Sequence, residues 1–232
     1  MNPKVLVGCP TSFHKEYCFQ DYLKGIKGLS YNNFEVLIVE NSEDNDFFDK
    51  IKKEFPAIKG PYDESARERI VLSRNLLKEK ALEGNYDYLL SLEQDVIPPN
   101  NIIELMLEHN KKIVSGIYFN RDLTTRELTP LAYVELPEKD SQGLPSMRSL
   151  NDSELLSNRL IKIVSCGLGC VLIHKDILKK INFRYEKDKD SFDDRFFGID
   201  LFKLKEPIYC DTRIKCKHLI INRPYQWRDI KK

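Results

Sequence analysis

The run Tyr86-Asp87-Tyr88-Leu89-Leu90-Ser91-Leu92-Glu93-Gln94-Asp95-Val96-Ile97-Pro98-Pro99 most restricts what this chain can become. It reads as an apolar strand that ends abruptly in two carboxylates, and the proline pair stops any continuation. Side chains alternate along an extended chain, so Glu93 and Asp95 are expected to point the same way. Two hard oxygen ligands at the mouth of a buried strand suit Mg²⁺ or Mn²⁺, and such an ion can in turn hold a diphosphate. Alone, an acidic triplet of this kind is equally a strand followed by a solvated turn, so the rest of the chain has to decide.

The surrounding pattern alternates. Apolar runs at 4–9, 34–40, 88–92 and 113–118 read as strands, and helical periodicity marks 16–29, 47–55, 66–82 and 102–109. The longest helix is expected to present Ile70, Leu72, Leu76, Leu77 and Leu82 as its apolar positions. Short apolar strands alternating with helices imply an α/β fold, a mostly parallel open sheet with helices on both faces. The second half differs. Residues 119–159 are polar and rich in turn formers, with a strand at 131–136, and read partly as a mobile loop over a site. Strands follow at 161–165, 170–173 and 207–210, helices at 176–181 and 196–204, then a basic tail. Without repeats or low-complexity linkers, residues 1–232 read as one domain.

Composition narrows the partners. The 37 basic and 36 acidic side chains leave a formal charge of +1, so there is no global field for nucleic acid and any anion site must be local. No apolar run approaches the roughly 18 residues of a membrane span. Met1-Asn2-Pro3-Lys4-Val5 enters a strand directly, and a cytoplasmic location is expected. The six cysteines, Cys9, Cys18, Cys166, Cys170, Cys210 and Cys216, form no CxxC pair and are expected to be reduced and mostly buried.

In an open α/β sheet, ligands bind beyond the carboxyl ends of the strands. Standing there are Pro10, Thr11 and Ser12 after the first strand, Glu40, Asn41 and Ser42 after the second, and Glu93, Gln94 and Asp95 after the third. The long helix adds Ser73-Arg74-Asn75.

With these segments in order, the chain resembles the nucleotide-sugar glycosyltransferases of the GT-A fold, and among them the inverting, metal-using ones. Pro10-Thr11 and Glu40-Asn41-Ser42 look like the uridine-binding part, and Ser73-Arg74-Asn75-Leu76 with Glu93-Gln94-Asp95 looks like the Arg-Asn helix and DxD motif. Cys166-Gly167-Leu168-Gly169-Cys170 is similar to the acceptor-side strand, and Asp193-Asp194 with His218 is similar to the closing acidic pair and terminal histidine. Glu93 and Glu40 depart from the commoner Asp, which keeps the charge but shifts its reach.

The resemblance implies a donor half over about 1–118 and an acceptor half over about 119–232. It implies a UDP-sugar donor and a saccharide, lipid-linked or protein hydroxyl as acceptor. Pro10, Thr11, Glu40, Asn41, Arg74, Glu93, Gln94 and Asp95 would contact the donor, and Asp95, Glu93 and His218 would hold Mn²⁺ or Mg²⁺. Arg74 would pair with phosphate through its planar fork. Gly167, Gly169 and Asp193 would face the acceptor, the glycines by letting the backbone approach a sugar closely. Asp194 would be the general base, kept ionised by a helix N-terminus, and Asp193 or Asp194 would serve equally as an N-cap. From the residues themselves, Tyr225 and Trp227 either pack near the chain end or stack on a sugar or base, and the basic tail from Arg213 to Lys232 is either a solvated basic surface or a segment that closes over the diphosphate or touches anionic lipid at a membrane surface. Two other readings remain: a sugar-phosphate nucleotidyltransferase, disfavoured because Pro10-Thr11-Ser12-Phe13-His14 is not a glycine-rich basic loop, and a non-catalytic binding protein on the same fold.

Overall fold

The computed structural model describes residues 2–121, 127–141 and 143–220. Tyr225, Trp227 and the tail residues beyond position 220 lie outside them. The strands are β1 (Val5–Thr11), β2 (Phe34–Glu40), β3 (Ala57–Lys59), β4 (Tyr88–Leu92), β5 (Val96–Ile97), β6 (Ile113–Ile117), β7 (Phe119–Arg121), β8 (Leu128–Pro130), β9 (Ala132–Lys139), β10 (Pro145–Ser149), β11 (Leu160–Ile163), β12 (Ser165–Cys166), β13 (Cys170–His174), β14 (Ile208–Lys215) and β15 (Lys217–His218). The helices are α1 (Phe19–Lys27), α2 (Asp46–Lys52), α3 (Ala66–Glu83), α4 (Ile102–Leu107), α5 (Asp152–Leu155), α6 (Lys175–Leu178) and α7 (Asp193–Lys203), and a 3₁₀ turn at Phe13–Cys18 leads into α1.

Eight strands form the central sheet in the order β11-β14-β6-β13-β4-β1-β2-β3. The block β4-β1-β2-β3 is wholly parallel. β13 then enters antiparallel between β4 and β6, with Cys170 opposite Leu92. β14 runs parallel to β6, and β11 closes that edge antiparallel.

Alternate residues of each strand feed two apolar layers. Val5, Val7 and Cys9 of β1 pack with Phe19 and Tyr22 of α1, Ile51 of α2 and Met106 of α4. Leu6, on the opposite face, packs in a layer with Ala81 of α3, Ile177 of α6 and Phe197 and Leu201 of α7. Helices on both faces explain why the strands read as continuous apolar runs.

The segment 119–159 is more regular than its composition suggests. β9 pairs antiparallel with β10 and β12, and β7 pairs with β8. Along β9, Glu135 and Pro137 to Lys139 are exposed, so its polar residues lie on a solvated ribbon. The basic tail also begins later than its charges suggest. Arg213 and Lys215 are exposed positions of β14, while Ile214 and Cys216 are buried. All six cysteines are buried free thiols. Among the described residues, no helix is long and apolar enough to cross a membrane.

Candidate active site

The parallel strands β1, β2 and β4 all end at one edge of the sheet, and antiparallel β13 begins there. Glu93 and Asp95 leave β4 at this edge, and the Glu93 N–H donates to the Gly169 carbonyl at 3.0 Å. β15 pairs antiparallel with β5, setting His218 opposite Val96, and the Leu219 N–H donates to the Asp95 carbonyl at 2.8 Å. A strand more than a hundred residues away thereby delivers His218 to Asp95. The His218 Nε2 lies 3.5 Å from Asp95 Oδ2, with Asp95 buried and His218 partly so. His218 Nδ1 donates to the Phe119 carbonyl at 2.6 Å, which turns Nε2 toward the Asp95 carboxylate.

From Asp95 an ion-pair chain runs through the site. Lys15, from the 3₁₀ turn after β1, places Nζ 2.8 Å from Asp95 Oδ1 and 3.0 Å from Glu93 Oε2. The other Glu93 oxygen accepts from Arg74. Arg74 also donates to Ser91 Oγ at 2.6 Å and to the Leu168 carbonyl at 3.1 Å. Its Nε stands 2.8 Å from Asp193 Oδ2, but off the N–H line, so both atoms are buried without a hydrogen bond. Asp194 follows directly, half-buried in the first turn of α7.

The fields differ along this chain. Burial pushes the Glu93 carboxyl up, but Lys15 and Arg74 overcome it and hold the group below its ordinary value. Burial raises Asp193 despite the Arg74 charge. Burial, then the neighbouring Asp193 charge, pushes Asp194 up to about 6. The helix N-terminus was expected to keep Asp194 low, and this is a correction: a dipole worth a fraction of a charge loses to desolvation beside a second carboxylate.

Other residues singled out by sequence take different places. Pro10, Thr11 and Asn41 line a cleft with Ser12, His14, Lys15, Arg69, Ile70 and Glu93. Glu40 is not among them. It is fully buried, its oxygens accepting from the Ser42 backbone at 2.8 Å and from Lys59 at 2.7 Å. Gln94 is also fully buried, accepting from Thr11 Oγ1 at 2.7 Å and donating to the Lys15 carbonyl, so it fastens the Lys15 turn to the Glu93–Asp95 segment. Arg74 is 3 % exposed, with its guanidinium committed to protein groups; it bridges two carboxylates instead of presenting an open fork to phosphate. Gly167 and Gly169 make room for Tyr118, whose phenolic oxygen accepts from the Gly169 N–H at 2.8 Å. A Cβ on either glycine would press into that phenol. Gly167→Ala is therefore expected to destabilise the fold by about 1–3 kcal/mol, read by chemical denaturation, with Tyr118→Phe as the paired background that relieves part of the loss.

Lys15 and Tyr118 went unnoticed in sequence. Lys15 stands one residue past the Pro10-Thr11-Ser12-Phe13-His14 loop, and Tyr118 marks in sequence only the end of a strand. Among the described residues, the one trio of metal-type ligand atoms within 4.8 Å of each other is Glu108, His109 and Asp211. The Arg213 guanidinium already bonds all three, which makes that group an ion-pair network.

No family model and no curated protein matches the sequence. Solved structures do. A197 from STIV is 17 % identical, with a TM-score of 0.50 over 94 % of this chain and 86 % of that one. S. aureus TarS 1–349 is 12 % identical, with a TM-score of 0.55 over 91 % of this chain and 60 % of that one. The same TarS fragment in complex with UDP-GlcNAc is 13 % identical at a TM-score of 0.55, covering 91 % of this chain and 58 % of that one. This chain thus spans under two thirds of the TarS fragment. At such identities the likeness establishes the fold, the mixed α/β, GT-A-like architecture expected from the sequence.

Proposed function

We propose that this protein transfers a sugar from a nucleoside diphosphate sugar, a UDP-sugar first among them, to a hydroxyl acceptor with inversion and divalent-metal assistance. The observation that carries the reading is the unbroken chain Asp95–Lys15–Glu93–Arg74–Asp193, which ends beside Asp194 at the ligand-binding edge of the sheet. That continuity supports reading the carboxylates assigned to donor and acceptor as one site. The TarS fragment, which shares the fold, is seen with UDP-GlcNAc and with UDP.

Two cations, Lys15 and Arg74, face four carboxylates, Glu93, Asp95, Asp193 and Asp194. That surplus of negative charge suits a divalent cation. Asp95 Oδ2 and His218 Nε2 fit one, because they stand 3.5 Å apart and His218 Nδ1 is already fixed by a carbonyl. Glu93 fits less well, since Lys15 and Arg74 occupy its oxygens. Asp95 and His218 would hold Mn²⁺ or Mg²⁺, which supplies Lewis-acid charge toward the diphosphate.

In the proposed reaction, Asp194 takes the proton of the acceptor hydroxyl. The acceptor oxygen bonds to the anomeric carbon, the bond to the diphosphate oxygen breaks, and the nucleoside diphosphate leaves with that electron pair. A base near 6 is mostly ionised at neutral pH yet retains affinity for a proton. Its sign is fixed: activity rises with pH through about 6 and falls about tenfold per unit below it, read as kcat/KM against pH. The function is tested by a thermal-shift panel of nucleotides and nucleotide sugars with and without Mn²⁺. A nucleoside diphosphate sugar should raise the melting temperature, and more so with Mn²⁺. A flat panel would remove the proposal.

A further inference from the structure

The inference concerns Lys15 and rests on the nucleotide-sugar reading only for the identity of its anionic ligand. We propose that Lys15 is a resident counter-cation of the donor site. It takes the bridging position between Glu93 and Asp95, and it leaves the metal a weak seat that the nucleoside diphosphate must complete.

Lys15 is 7 % exposed, and its ammonium touches one oxygen of each carboxylate. An ion shared by Glu93 and Asp95 would have to displace that ammonium or lie against it as a like charge. The second Glu93 oxygen is held by Arg74, so Glu93 has no oxygen clear of a cation. The lysine is also held in place from behind. Its carbonyl accepts from the Gln94 amide and from Cys18 Sγ at 3.0 Å, and Gln94 sits between the two carboxylates in sequence. The turn that carries the cation is therefore fastened to the segment that carries the anions.

Toward a metal, Asp95 Oδ2 and His218 Nε2 stand 3.5 Å apart. Hard divalent cations take about six ligands, so two protein atoms alone bind weakly, and phosphate oxygens supply the rest. Lys15 and Glu93 also line the cleft bounded by Pro10, His14 and Arg69. There an ammonium can meet a phosphate as a point charge before any metal arrives. The order of binding follows: nucleotide first, supported by Lys15, and metal second.

Manganese binding to the full chain, followed by electron paramagnetic resonance without nucleotide, tests this without any sugar transfer. The native protein should bind Mn²⁺ in the millimolar range. Lys15→Met frees the paired carboxylates and should tighten Mn²⁺ at least tenfold, while Lys15→Arg should behave as native. In chelator, Lys15→Met should weaken UDP binding at least tenfold. Unchanged Mn²⁺ affinity in a folded Lys15→Met overturns the proposal. If that variant does not fold, micromolar Mn²⁺ binding by the nucleotide-free native protein overturns it equally. Tightened Mn²⁺ in Lys15→Met together with native protein that ignores UDP would keep the Lys15 assignment and sink the nucleotide-sugar reading.

Discussion

Asp194→Asn is expected to lower sugar transfer by about 10²- to 10⁴-fold, leave nucleoside diphosphate binding intact, and make the protein more heat-stable. The two effects have one cause. The folded protein raises the Asp194 carboxyl from 3.8 to about 6, through burial and the adjacent Asp193 charge. A group more easily protonated when folded costs stability once it must ionise. That cost is absent below about pH 4, grows as pH rises through about 6, and is full at neutral pH. Asparagine cannot ionise, so the cost disappears. With half-exposure allowed for, the gain is on the order of 1–2 kcal/mol, a rise of a few degrees in Tm for a chain of this size. A helix-capping role predicts the opposite sign, because removing a favourable N-terminal carboxylate lowers Tm. Calorimetric melts of the two proteins at pH 4 and pH 7, beside their transfer rates, separate the roles.

Arg74→Ala should produce the largest loss of stability. Arg74 is buried, and its removal leaves Glu93 and Asp193 facing one another without that cation, takes from Ser91 Oγ its donor and takes from the Leu168 carbonyl one of its two. Breaking a buried pair in this way costs about 3–5 kcal/mol. The deficit should shrink as pH is lowered, because the orphaned carboxylates then take up protons. Arg74→Met combined with Asp193→Asn should be less damaging than Arg74→Ala, since it removes a charge along with its partner. Denaturant melts at pH 7 and pH 5 read both effects. A loss under 1 kcal/mol at pH 7 would show that the guanidinium is not the bridge between the two halves of the site.

Much of the fold was legible because strands buried on both faces announce themselves as apolar runs. Strands β1, β2 and β4 of the parallel block and the first helices lie close to where periodicity sets them, whereas the short edge strand β3 left no readable apolar run. The Glu93–Asp95 end of β4 was legible for the same reason: a carboxylate pair after Leu90-Ser91-Leu92 has to mark the strand's exit. The helix α3 misled. Ile70, Leu72 and Leu76 are only partly buried, while Arg69, Ser73, Arg74 and Lys78 are buried. That helix covers the site and not only the core, so polar side chains with partners in other elements fill its inner face. Such partners are distant in sequence. Lys15 meets carboxylates about eighty positions away, and periodicity in either segment cannot report it. Glu40 shows the converse. Its place at a strand end suggested a nucleotide contact, but the neighbouring Ser42 and the Lys59 of β3 absorb its charge.

The central claim is that Asp95 and its partners form a donor site for a nucleoside diphosphate. Isothermal titration of UDP into native protein and into Asp95→Ala, each with Mn²⁺ and with chelator, tests it most directly. Native protein should take up UDP in both conditions and more tightly with manganese, and Asp95→Ala should lose the manganese-dependent gain. Equal manganese response in the two proteins, or no heat of binding from the native protein, would contradict the account.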